Sequence, residues 1–239
     1  MKSTLRLIVL AFAAWAVQQQ AFSQESNLPD IRSTADSVYG LNDLLLNGRI
    51  HNNAHPGANG HPFAFEKTFP PGAVFIKGEW FGSLKVNYDA TLDEPVLDVV
   101  ESMPWIKYIV LNNKLIDSFL VGDRLFVHAN TLPVKIADRV YLEKVFEGKF
   151  SLLARHQKYF KAEYSSWHPK GVYLDKPVNY LIVSEGSLYE VTREKQWLDY
   201  FAGHKKELKN YLRKNKIKLG KASIGQLKQL AVFCNGFYR

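Results

Sequence analysis

Through the middle of the chain, apolar and polar residues alternate. Residues 73–76 read Ala-Val-Phe-Ile, Lys77-Gly78 follows, and residues 84–88 read Leu-Lys-Val-Asn-Tyr before a polar stretch from Asp89 to Pro95 and a return at Val96-Leu97. Successive side chains on a strand point to opposite faces, so this period describes a sheet with a buried side. The same pattern recurs in residues 105–111, 114–120, 124–128, 139–146, 149–155, 178–183 and 187–191. Short polar or glycine-bearing pairs separate these segments: Asn112-Asn113, Gly122-Asp123, Glu147-Gly148 and Glu185-Gly186. Glycine supplies the positive φ of tight hairpin turns. Consecutive strands with short loops predict an antiparallel meander, a curved sheet or partial barrel, over residues 72–191, with no fixed repeat that would signal a propeller or solenoid.

After Val191 the period changes to that of a helix. Thr192 is placed to cap a helix carrying Trp197, Leu198 and Phe201 and ending near Gly203. Residues 205–216 put Leu208, Tyr211 and Leu212 on one side. Ser223-x-x-Gln226 reads as a capping box opening a helix with Ile224, Leu227, Leu230, Ala231 and Cys234 at helical spacing. Helices with apolar stripes need a surface to cover, and the sheet is the available one. The predicted fold class is therefore α+β, with residues 192–239 as a C-terminal helical segment packed on the meander.

The start of the chain has a different character. Lys2 and Arg6 precede an apolar run over residues 7–17, and Ala21-Phe22-Ser23 places small residues at a cleavage position, so residues 1–23 read as a secretory signal peptide. A run of that length falls short of the roughly 30 Å of hydrocarbon that a membrane helix must cross. No later stretch is apolar enough to span a bilayer. Removing 23 of 239 residues leaves 216, enough for a substantial core, and takes the formal charge from +8 to +6 through loss of Lys2 and Arg6. Cys234 is the sole cysteine, so no disulfide forms within the chain, which fits a bacterial envelope better than a small disulfide-dependent secreted domain. Residues 24–71 read as an N-terminal extension leading into a loop rich in His, Asn and Gly, with a short helix or strand near residues 38–47.

That loop carries the first candidate chemistry. His51, His55 and His61 could gather a transition metal, imidazole being a good ligand for zinc, copper or nickel, although the spacing matches no helix-borne zinc motif. The competing reading is a solvated loop whose Asn, Gly and His suit turn geometry. Asp89, Asp93 and Glu94 miss the calcium-loop register and read as turn-capping carboxylates, with a paired-carboxylate hydrolase site as the alternative. Cys234, on an apolar stripe, reads as a buried small hydrophobe. The chain has no nucleophile elbow, no phosphate loop and no dinucleotide fingerprint, and its composition points to no cofactor.

Charge is the strongest signal outside the core. Residues 204–228 hold nine Lys or Arg against one Glu. Lys205, Lys206, Lys209, Arg213, Lys214, Lys216, Lys218 and Lys221 form a candidate patch for an anionic partner: anionic lipid, lipopolysaccharide or polysaccharide. The competing reading is a lysine-rich face that only keeps the helix solvated. Export makes nucleic acid the least expected partner.

Gly60-His61-Pro62-Phe63, a strand opening at Gly72, the turn at Gly78, a lysine-rich helix over residues 205–218 and a final helix ending in Phe237-Tyr238 together resemble the motifs of a family of uncharacterised exported proteins of Gram-negative bacteria. The family's Lys-Tyr-Asp strand end departs here to Lys85-Val-Asn-Tyr88-Asp89. The resemblance implies export and a β-rich domain with a helical tail; it transfers no catalytic residue. The reading from sequence is thus a periplasmic, outer-envelope or secreted protein, a non-enzymatic binding or structural module, with a hydrolase of an envelope polymer as the alternative.

Overall fold

Paired residues with positive φ mark where the chain reverses. In the computed structural model, which describes residues 43–137 and 140–238, Lys77 (φ 49°) and Gly78 (φ 87°) join strands β2 (Pro71–Ile76) and β3 (Glu79–Asp89). Two successive positive φ values match the right-handed twist of the strands they connect. Glu185 (φ 50°) and Gly186 (φ 72°) make the same turn between β12 (Asn179–Ser184) and β13 (Ser187–Glu190). The remaining strands are β1 (Arg49–Ile50), β4 (Glu94–Asp98), β5 (Tyr108–Val110), β6 (Ile116–Val121), β7 (Arg124–His128), β8 (Tyr141–Glu147), β9 (Ser151–Arg155), β10 (Lys158–Lys161) and β11 (Val172–Asp175).

Eleven of the described strands form one antiparallel sheet in the order β1-β5-β4-β3-β2-β6-β7-β8-β9-β12-β13. Two meanders stand back to back in it, joined where β2 pairs with β6. The hairpin expected at Asn112-Asn113 does not form. Asn112 Oδ1 accepts from the Lys114 amide (3.1 Å), and the turn sends the chain from β5 to the far side of β2. β10 and β11 form a separate hairpin that the sequence pattern did not reveal. Part of the expected extension also belongs to the sheet: β1 pairs with β5, and Phe63 bridges Asp89.

The chain divides into residues 1–43 and 44–239, and the sheet lies wholly in the second unit. The expected signal peptide and the stretch up to residue 42 lie outside the described residues. The first helix described is one turn, α1 (Asp43–Leu46), with Leu45 buried.

Helices α2 (Glu194–Tyr200), α3 (Lys205–Lys214) and α4 (Ile224–Asn235) follow the last strand. The Arg193 amide donates to Gln196 Oε1 (2.7 Å) at the start of α2, one residue beyond the expected cap at Thr192. The capping box at α4 is complete: Ser223 Oγ accepts from the Gln226 amide (3.2 Å), and Gln226 Oε1 from the Ser223 amide (3.0 Å). Trp197, Leu208, Leu227, Leu230 and Cys234 are wholly buried against Leu152, Ala154 and Ile182 of β9 and β12. A second cluster takes the alternate residues of the same strands, Leu153, Leu181 and Val183, together with Leu142 of β8. The strands under the helices are therefore buried on both faces. Among the described residues, no helix is long and apolar enough to cross a membrane.

The sheet is open and strongly curled. The Tyr88 ring lies 4.8 Å from that of Phe126, although β2 and β6 stand between their strands. Asp93, in the turn between β3 and β4, accepts from the amides of Val140 (2.6 Å) and Tyr141 (3.2 Å) at the start of β8, and from the Tyr88 hydroxyl (2.7 Å). It does so from a left-handed backbone (φ 63°) and is 8% exposed. Asp93→Ala removes these three acceptor contacts and strands buried donors, so chemical denaturation should show a loss of about 2–4 kcal/mol. Asp93→Asn, which tolerates the left-handed backbone and retains one acceptor oxygen, should lose clearly less.

Candidate functional site

The three loop histidines have separate environments. His51 Nε2 meets Asp89 Oδ2 at 2.9 Å, with side chains 3% and 2% exposed. Its ring stacks on Phe63 (5.7 Å between centroids), and Tyr108 meets it edge-on. Asp89 Oδ1 accepts from the amides of Thr91 (2.9 Å) and Leu92 (3.0 Å), as expected of a turn-capping aspartate. His55 lies flat on Phe160 at 3.4 Å, beside the Tyr173 hydroxyl that donates to Asn53 Oδ1 (2.7 Å). The His61 carbonyl accepts from Lys158 Nζ (3.3 Å); burial first, and then the Lys158 charge, push its imidazole below the usual histidine range. No group of three or more His, Cys, Asp or Glu placed to hold a metal ion occurs among the described residues, so the three histidines do not form a ligand set. They anchor residues 51–63 to the sheet and to the β10–β11 hairpin instead.

Glu143 forms the centre of a second buried cluster. It is 2% exposed and takes His156 Nε2 at 2.6 Å and the Arg124 guanidinium at 3.2 and 3.3 Å. The guanidinium lies over the Phe65 ring, 4.1 Å from its centroid, and Phe65 also meets His156 edge-on. The register Phe126↔Glu143↔Ala154 brings together Arg124 of β7, Glu143 of β8 and His156, the residue that follows β9. Sequence reasoning missed this cluster. The signal was Glu143 itself, which two-residue alternation puts between Tyr141 and Val145, among residues expected to face the core. A cleft of about 230 Å³ is lined by His156, Lys158, Asp175 and Lys176, among others, and no serine, threonine or cysteine is among the described residues that line it.

A wider cleft of about 730 Å³ is lined by Asn113, Asp117 and His128, among others. His128 Nδ1 accepts from the Asn130 amide (3.0 Å), a role open only to the neutral ring, and burial lowers its pKa. Cys234 is wholly buried, and burial alone pushes its thiol up to about 12, so it is no nucleophile at neutral pH.

The basic segment is arranged differently from these clusters. Leu208 and Leu212 of α3 are buried, as are Ile217 and Leu219 beyond it, and Tyr211 stacks on Phe233 at 4.0 Å. All eight basic side chains of the expected patch are exposed. Lys205 meets Asp199 at 3.4 Å; the other seven have no carboxylate partner among the described residues. Helix α3 ends in a Schellman motif, with the Ile217 amide on the Leu212 carbonyl (2.9 Å) and the Lys216 amide on the Arg213 carbonyl (3.2 Å). The left-handed position of that motif, usually glycine, holds Lys216 at φ 53°.

Comparison with protein-family models, with curated proteins and with solved structures finds no match. The chemistry of this chain therefore has to be read from its own residues. Buried charges are tied to one another or to backbone amides, while unpaired charge is concentrated on the solvent side of α3 and the turn after it.

Two outcomes follow for the histidines. His51→Gln leaves the Asp89 charge in a closed site and should destabilise the fold by about 3 kcal/mol, with a clear coupling to Asp89→Asn in a double-mutant cycle. His61 and His128, whose folded pKa values are lowered, bind fewer protons in the fold than in the unfolded chain. Stability should thus fall as pH drops below about 6.5. Denaturation midpoints of a His61→Asn/His128→Asn variant should change less between pH 7 and pH 5.5 than those of the parent.

Proposed function

We propose that this protein is an exported, non-enzymatic binding module of the cell envelope that holds an anionic partner on the solvent face of α3 and the turn after it. The observation that carries the proposal is the exposure of eight basic side chains with a single carboxylate contact among them. A lysine-rich face that served only solubility would gain from neighbouring acids, which relieve self-repulsion along a helix; here Glu207 is the lone acid in the segment. Lys216 adds a second consideration, because it occupies a left-handed position where glycine is favoured. The signal-like start and the family resemblance support export, and the lack of cysteine pairs suits an envelope compartment.

The hydrolase alternative draws less support. His51–Asp89 is sealed under Phe63 and Tyr108, and His156–Glu143 is held by Arg124, with no serine, threonine or cysteine among the described residues that line the adjoining cleft. Both arrangements fit the tying of a buried turn or strand better than acid–base work on a substrate.

The protein should be retained on a heparin matrix at about 0.05 M salt and released well below 1 M, as screening of exposed charges requires. Charge reversal at Lys209, Arg213 and Lys218 should abolish retention while circular dichroism shows the fold intact; retention that survives it overturns the proposal. Lys216→Gly should raise stability by about 1 kcal/mol while weakening retention, and equilibrium denaturation beside the same column assay reads both effects.

A further inference from the structure

We infer that the anionic partner is a linear, sparsely charged polymer, an acidic polysaccharide carrying about one carboxylate per sugar, and not a bilayer surface; this rests on the binding reading above. The layout of the cations points there. Lys205, Lys209 and Arg213 are spaced four residues apart on α3, a row with one positive charge about every 6 Å along the helix. Lys216 in the left-handed turn, and Lys218 and Lys221 after it, are three further exposed cations that follow the row in the chain. Charges strung along a line suit an extended anion. A single phosphate or a small dianion would need donors that converge on one point, as in a nest or an arginine fork.

A membrane-lying helix inserts its apolar face about 5–10 Å into the headgroup region. That face is already used here. Leu208, Leu212, Ile217 and Leu219 are buried against the helical core, and among the described residues no exposed large hydrophobic side chain lies between 205 and 221. Nucleic acid fits less well on two counts. Each DNA strand places a phosphate about every 3.4 Å, closer than the cation row. Single strands bind through bare aromatic platforms, whereas the one aromatic side chain of α3, Tyr211, is covered by Phe233. A hexuronate chain carries one charge per ring, a spacing of the same order as the helical row. Seven of the eight patch residues are lysine, whose mobile point charge suits a partner that slides.

The test measures binding of the full chain to fluorescent polygalacturonate, to vesicles of phosphatidylglycerol and phosphatidylethanolamine, and to duplex DNA, at matched total anionic charge and low salt. Polygalacturonate should bind tightest. A Lys205→Gln/Lys209→Gln/Arg213→Gln variant should bind it at least about tenfold more weakly, with a shallower salt dependence. A Lys107→Gln/Lys114→Gln/Lys170→Gln control, equal in charge but away from the row, should bind like the parent. Circular dichroism and thermal midpoints of both variants check that the fold is intact. Vesicles or DNA binding more tightly than the polysaccharide would overturn this inference and leave the anionic-partner reading standing. Equal losses in row and control variants would overturn it too, since only net charge would then matter. Failure to bind any of the three would overturn both.

Discussion

The Asp93 carboxylate holds the curl of the sheet. It sits in the turn between β3 and β4, yet its hydrogen bonds go to the Tyr88 hydroxyl and to two amides at the start of β8, four strands from β3 in the sheet order. An open antiparallel sheet has twist but no inherent closure, and its end-of-strand amides would otherwise face solvent or remain unpaired. One buried acceptor satisfying three donors fixes how far the strands roll. The packing of Tyr88 on Phe126 and of Phe119 on Tyr141 follows from that curvature. The two meanders become two sides of one core because this turn reaches across.

Around that frame, the polar interior is arranged for architecture. His51–Asp89 pins the segment that precedes β2, and Asn87 does the same by donating from Nδ2 to the carbonyls of Glu66 and Thr68 (2.9 Å each). Arg124, Glu143 and His156 link β7, β8 and the residue that follows β9. Buried ion pairs add little net stability over a well-packed apolar core, but removing one partner is costly, so such pairs select one register over its neighbours. That logic gives the histidines and asparagines of the loop a structural role.

The helical tail divides its two roles by face. Its apolar side completes the core over β9 and β12, and of the eight cations on its solvent side only Lys205 meets a carboxylate among the described residues. Mutual repulsion and a lysine in a left-handed turn both work against stability. A surface that keeps unfavourable local terms is where a partner is most reasonably sought, because the partner supplies the missing countercharge.

Sequence alone determined the local elements. Two-residue alternation marked the strands, turn pairs such as Lys77-Gly78 and Glu185-Gly186 marked hairpins, Ser223 and Gln226 marked the start of α4, and the lysine run marked the exposed face of α3. Each of these depends on residues within a few positions of one another, where period, propensity and capping act directly. What tertiary structure decided was pairing at a distance. Nothing local says that β2 pairs with β6, that Asn112-Asn113 diverts the chain, or that β10 and β11 leave the main sheet. Nor does spacing reveal that His51 meets Asp89, 38 residues away, and not His55 or His61. A buried charge takes whichever partner the folded backbone brings within hydrogen-bond reach, and that is set by the curl of the sheet, not by the order of residues along the chain.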